Sequence, residues 1–210
     1  VDAYPAEKAR IVSETELEGQ PVELFLLGDR LVIFSNQQGE TFVTPRNSAV
    51  PVPVWRTTTH ATVYDVRNRS APKQIRDIGL SGSYYDARMI GSDIYVVTSE
   101  GVPWYRDTVV MPEVREGEKV VKSPDVYYFD IPCSSYTFYT LSSFDVLNDR
   151  SVTAETFMLG YSTTLYVSRD NLYMAYQKES RGPWTAGAAE ERAAPAGVVQ
   201  EEATIIHRFE

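Results

Sequence analysis

Side chains able to do covalent or metal chemistry are few in this 210-residue chain, and they are badly spaced for it. One thiol, Cys133, and two imidazoles, His60 and His207, stand far apart in sequence. A zinc site draws three or four ligands from such groups, so no metal ligand is assigned. The D-x-D-x-D-G spacing of a calcium loop does not occur. Gly79-Leu80-Ser81-Gly82 begins like a nucleophile elbow, but position 83 is Ser and not the closing Gly. The stretch also falls between two expected strands, where an elbow would precede a helix. Ser81 therefore reads as a turn residue. No catalytic residue and no cofactor are assigned.

The polar pairs have structural readings. Asp86 and Arg88 stand two apart in an expected strand, so both face one side of it. They read as an ion pair at a buried or edge position between sheets, in preference to a polar pair at a binding face. Asp65 and Asp145 occupy equivalent sites, and such aspartates bond turn amides. The three tryptophans, Trp55, Trp104 and Trp184, fall in stretches that read as loops. Each is expected to pin its own loop to the scaffold. Left exposed, they become the candidate ligand-binding residues, stacking on a sugar or anchoring a protein partner.

The elements that position these groups are strands. Two β-prone runs flank Gly91-Ser92 in SYYDARMIGSDIYVVTS, residues 83 to 99. A two-residue loop with Gly first is the chemistry of a type II′ hairpin. PVELFLLGDRLVIFSN repeats the pattern around Gly28-Asp29, and TTLYVSRDNLYMAYQ around Arg169-Asp170. In the aligned hairpins Leu31 falls on Ile94, and Ile94 on Leu172. Met89, Ile94 and Val96 are expected in the core. So are their counterparts Leu26, Leu31, Ile33, Val167, Leu172 and Met174.

Around these hairpins the expected strands are Ala9–Thr15, Ala61–Val66, Gln74–Leu80, Phe138–Val146 and Thr153–Leu159, with a short one within Asp125–Ile131. The edge Tyr64-Asp65-Val66 matches Phe144-Asp145-Val146. Repeat units therefore run over about 9–36, 61–99 and 137–177, and TIIHRF at the end matches the first strand of a further unit. Residues 37–60, 100–136 and 178–203 read as insertions, 37–58 as loop, with a short helix or disorder near 188–193. The fold class is all-β, four-stranded antiparallel meanders forming part of a β-propeller, in one partial domain.

Composition narrows the partners. The net charge of −9 argues against a nucleic-acid partner, whose phosphates need a basic face. No apolar run approaches the length of a membrane-spanning helix. With a single cysteine, no intrachain disulfide forms. Fourteen tyrosines suit half-buried pleated surfaces.

The ordered motifs resemble the β-propeller domain found at the C-terminus of secreted archaeal and bacterial proteins of unknown role. That family shows a YD(V/I)-x-(D/N)-x-x-x-P edge, matched by Tyr64, Asp65, Val66, Asn68 and Pro72. It then shows a GSYxDxRxIGDxxY hairpin, matched by Gly82, Ser83, Tyr84, Asp86, Arg88, Ile90, Gly91 and Tyr95. VYYFDIP, YVSRDNLYMAY and TIIHRF also look like it. The resemblance implies an exported or cell-surface setting, with any export signal outside this chain, and brings no catalytic residues. Its members continue past the equivalent of TIIHRF, which implies a fragment here. The terminal strand is expected to pair with the first unit, in this chain or, by preference, in a second copy, giving a homodimer. The functional expectation is a non-catalytic binding or scaffolding module for a protein or glycan. The rival is a propeller enzyme, such as a glycosidase or lyase acting on extracellular polysaccharide.

Overall fold

A computed structural model describes residues 1–105, 108–128, 135–160, 164–167, 171–178 and 203–209. Strands dominate. β1 (Gln20–Leu27), β2 (Arg30–Val43), β3 (Val52–Asp65) and β4 (Lys73–Ser81) form a first meander. β5 (Ser83–Ile90) and β6 (Asp93–Gly101) begin a second sheet. The connection that follows holds β7 (Trp104–Tyr105), β8 (Thr108–Val109), β9 (Val114–Glu116), β10 (Lys119–Lys122) and β11 (Val126–Tyr128). β12 (Thr137–Asp145) and β13 (Thr153–Leu159) complete the second sheet, and β14 (Thr164–Val167), β15 (Leu172–Lys178) and β16 (Ala203–Phe209) make a third. The first two sheets fall in one compact unit, and the third belongs to another. Among the described residues no helix is long and apolar enough to cross a membrane.

The hairpin turns fall where glycine makes them cheap. Gly28 and Gly91 both take positive φ, +58° and +65°, the left-handed region that a side chain disfavours. Leu26 pairs with Leu31, and Met89 with Ile94, so both hairpins share one register. The third has the same register, with Val167 opposite Leu172; its turn at Arg169-Asp170 lies outside the described residues.

The sheets are cut from this repeat two strands out of phase with the reading over 61–99. β3 and β4 stay with β1 and β2, while β5 and β6 pair with β12 and β13. The break lies at Ser81-Gly82, where Gly82 takes φ +94°. Its amide donates to Thr57 O, and its carbonyl accepts from Thr59 Oγ1. A repeat read from sequence has no phase of its own, and only this junction reveals it.

Three other expectations change. Ala9–Thr15 forms no strand beyond an isolated bridge between Asp2 and Arg10; Ile11 and Val12 are too little apolar pattern among charged neighbours. Residues 37–58 are mostly strand. β2 and β3 run on in register from Gln37↔Thr58 to Val43↔Val52 as a two-stranded arm. Exposure alternates along the arm, but its exposed face carries Phe42, Pro53 and Trp55 and its covered face Thr41 and Arg56, so residue polarity does not mark the alternation. The terminal strand β16 pairs with β15 from Leu172↔Phe209 to Lys178↔Ala203, so within this chain it completes the third sheet and does not join the first hairpin.

The connection between β6 and β12 extends both early sheets. β9 pairs antiparallel with β4, and β11 lies parallel to β13. The core lies between the first two sheets. Val32, Phe34, Ala61, Val63, Ile78 and Leu80 of the first meet Ala87, Ile94, Val96, Phe144, Val152 and Ala154 of the second. Phe34 packs edge-on to Phe25 and 5.4 Å from Tyr84. Met89 is half-buried against this core, and Met174 is buried. Leu31 and Ile33 are only half-buried and Leu26 is 60% exposed; the first sheet covers its alternate residues, Val32 and Phe34, instead. Val167 and Leu172 have side chains outside the described set.

Candidate functional site at the projecting arm

Glu40 and Phe42 lie opposite Trp55 and Pro53 on one face of the arm. All four are exposed, Trp55 by 74%. Trp104 begins the β7–β8 hairpin and is 69% exposed. The amide of Arg46, in the loop at the arm's tip, donates to Thr108 Oγ1 on that hairpin at 2.9 Å. That bond ties the loop at the arm's tip to the hairpin that carries Trp104. Neither indole pins its segment to the scaffold, and Trp55 stands in a strand, not a loop. Trp184 lies outside the described residues. Phe42 was missed because the arm was read as loop; the apolar pair Phe42-Val43 directly before the TPRN turn was the available signal.

An open cleft of about 230 Å³ lies at the base of the arm, lined among others by Glu40, Arg56, Thr58, Ser81, Glu113 and Arg115. Its charges are held in place. Arg56 grips Glu100 through Nε at 2.8 Å and through Nη2, and donates to Met111 O. Arg115 Nη2 donates to Glu113 Oε2 at 2.7 Å. Bidentate arginine–carboxylate pairs fix geometry better than single contacts. Ser81 closes β4, and its hydroxyl donates to Glu113 O and accepts from Glu113 N. That exchange stitches β4 to the insertion and leaves Ser81 no free role as a nucleophile.

The other sequence candidates resolve as structure. Asp65 Oδ1 accepts the Arg67 amide, and Asp145 Oδ1 accepts the Leu147 and Asn148 amides. The Arg67 side chain and amide, with Arg30, hold the Asp65 carboxyl well below the usual carboxylate range. The Asn148 side chain and these turn amides lower the Asp145 carboxyl. Arg88 Nη1 donates to Asp86 Oδ1 at 2.9 Å beside the β5 bulge. His60, weighed as a zinc ligand, instead bonds Asp77 through Nδ1 at 2.9 Å, and Thr62 Oγ1 donates to the other carboxylate oxygen. Burial alone would raise the Asp77 carboxyl, but His60 and Thr62 carry it below its ordinary value. Cys133 lies outside the described residues. Among those described, no three His, Cys, Asp or Glu side chains gather as a metal site would require.

Comparison with known proteins agrees with this architecture. A family model described as a beta propeller domain matches residues 1–210. An uncharacterized protein of Methanocaldococcus jannaschii is 29% identical over 122 residues, 55% of this chain and 18% of that protein. An uncharacterized protein of Archaeoglobus fulgidus is 27% identical over 112 residues, 52% of this chain and 18% of its own length. The chain thus aligns with less than a fifth of these relatives. No solved structure matches it.

Proposed function

The chain belongs to the beta propeller domain family, and from that premise we propose that it is a non-catalytic binding module of an exported or cell-surface protein, with a glycan as its ligand. The observation that carries this reading is the pair of exposed indoles, Trp55 and Trp104, held on a two-stranded arm and the hairpin bonded to it. A flat apolar ring stacks on a sugar face, while the fixed Arg56–Glu100 and Arg115–Glu113 pairs offer partners for hydroxyls at the arm's base. Support for the exported setting comes from the resemblance to the C-terminal propellers of secreted proteins. The net charge of −9 favours neutral over acidic polysaccharides.

The test is affinity electrophoresis through gels carrying neutral or acidic microbial polysaccharides. The wild-type chain is retarded by at least one neutral polysaccharide. Trp55→Ala and Trp104→Ala each weaken that retardation about tenfold or more, the scale of a hot-spot aromatic, with thermal midpoints unchanged. Free migration of the wild type through every gel overturns the glycan reading. Release of reducing ends or unsaturated products from a retained polysaccharide favours the glycosidase or lyase alternative.

A further inference from the structure

Equivalent turns in the first two sheets use their asparagines differently. Asn68 follows Asp65 between β3 and β4, as Asn148 follows Asp145 between β12 and β13. In the second sheet the asparagine amide is spent on the turn: Asn148 Nδ2 donates to Asp145 Oδ2 at 2.8 Å. In the first sheet Arg67 takes the equivalent carboxylate instead, through Nε at 2.9 Å and Nη2 at 2.6 Å. Asn68 Nδ2 is thereby released. Asn68 Oδ1 accepts the Ser70 amide at 3.1 Å, and its carbonyl accepts the Ala71 amide at 3.0 Å, an Asx-turn within a β-turn. Arg69 O accepts from Ser13 Oγ at 2.7 Å, which ties this turn to the N-terminal segment. Among the described residues neither Asn68 Nδ2 nor Ser70 Oγ has a partner, and both residues are exposed. The sequence separates the two turns as well. Asn68-Arg69-Ser70 is the chain's one Asn-x-Ser/Thr triplet, whereas Asn148 is followed two places on by Arg150. An exposed triplet of this kind is the acceptor signature for N-linked glycan transfer.

We propose that Asn68 is an N-glycosylation site, taking an oligosaccharide from a polyprenyl-phosphate carrier at a membrane-bound transferase. In the transfer Nδ2 forms a bond to the anomeric carbon of the first sugar. The bond from that carbon to the carrier's phosphate oxygen breaks, and the phosphate leaves with the electron pair. One Nδ2 proton passes to a carboxylate of the transferase, and the product is a secondary amide. The folded turn accommodates that product, because substitution at Nδ2 breaks no hydrogen bond and the residue faces solvent. The same substitution at Asn148 would cost a bond to Asp145. β3 carries Trp55 near its start and this turn after its end, about 30 Å apart along the strand. A glycan on Asn68 therefore leaves the indole clear for the ligand. The proposal rests on the exported setting inferred above, since these transferases act on chains that have left the cytoplasm.

The native protein in its source cells tests both the site and the setting. Protease treatment of intact spheroplasts reports whether it stands outside the cytoplasmic membrane. Mass spectrometry of the peptide spanning Asn68 reports the glycan. The expected result is a protease-accessible protein whose peptide carries a series of sugar-residue masses on Asn68. An accessible protein with a bare Asn68 overturns the site and leaves the exported setting standing. A protein protected until the cells are broken overturns the setting and the site with it. Variants expressed in the same cells then fix the attachment. Asn68→Gln and Ser70→Ala each lose the added mass, and Ser70→Thr keeps it. Ser70→Ala removes a hydroxyl that has no partner, so its thermal midpoint by circular dichroism is unchanged and the loss is not one of folding. A glycan that survives Ser70→Ala overturns the assignment.

Discussion

The first and second sheets place the same kinds of side chain at the same register positions, and those side chains meet opposite surroundings. Ile94 has no exposed surface, while Leu31, its counterpart by register, is half-buried, and Leu26, the counterpart of Met89, lies open. Apolar character at these positions follows the repeat; burial follows the neighbour. In a stacked-sheet repeat each sheet has a face for the sheet before it and one for the sheet after. Val32 and Phe34 fill the second role in the first sheet, and Ile94 and Val96 the first role in the second.

Truncation should separate the two sheets most sharply. Ile94→Ala is expected to cost about 2–5 kcal/mol, as removal of a fully buried aliphatic does. Leu31→Ala, measured on dilute monomer by urea denaturation, should cost less than about 1 kcal/mol. Equal losses would mean that the exposed face of the first sheet is not open in solution. The glycines come next. A Cβ on Gly82 would lie 2.9 Å from Ser99 O in addition to the positive φ, whereas nothing lies within 4 Å of one on Gly28. Gly82→Ala should therefore destabilise by about 3 kcal/mol and Gly28→Ala by about 1, both read from urea midpoints. If Gly28→Ala proved the costlier, the junction between sheets would not be the constrained point of the fold.

Polar pairs give a smaller contrast. Thr140→Val leaves the Thr156 hydroxyl unpaired in the core of the second sheet and should cost about 1–3 kcal/mol. His60→Ala, at the equivalent place on the first sheet, should cost about 0.5 kcal/mol in the monomer, because water replaces the ring at the half-exposed Asp77. The smallest effect is titration of Asp77. Its carboxyl is lower in the folded chain than in the unfolded one. The stability it contributes is complete above the unfolded carboxylate's pKa and is lost as pH falls through the folded value. Asp77→Asn should flatten the acid limb of a stability profile taken between about pH 6 and pH 3. An unchanged limb would show that the His60–Asp77 bond is equally strong in the unfolded chain.

Much of this was legible in the residues. Gly28 and Gly91 marked their turns because positive φ has a chemical signature, and Asp65 and Asp145 announced their turn amides by position. What escaped notice lacks a local signal. The arm is long, two-stranded and wet on many positions, so Gln37, Gln38 and Glu40 looked like loop. The assignment of β4 and β5 to different sheets depends on which neighbour each finds, and adjacency in sequence suggested the wrong one. Trp55 and Trp104 are conspicuous as residues, but whether an indole is pinned or free is settled by what surrounds it.

The Ser81-Gly82 junction ties the fates of the first two sheets together. No slack separates β4 from β5, and Thr98 Oγ1 donates to Ser81 O across the step while Gly82 bonds Thr57 and Thr59 behind it. Opening the second sheet pulls on the edge of the first at once. Amide protons of Ile78, Leu80, Ile94 and Val96 should then exchange with solvent through one shared opening, with a common free energy and a common denaturant slope, as a single foldon spanning both sheets.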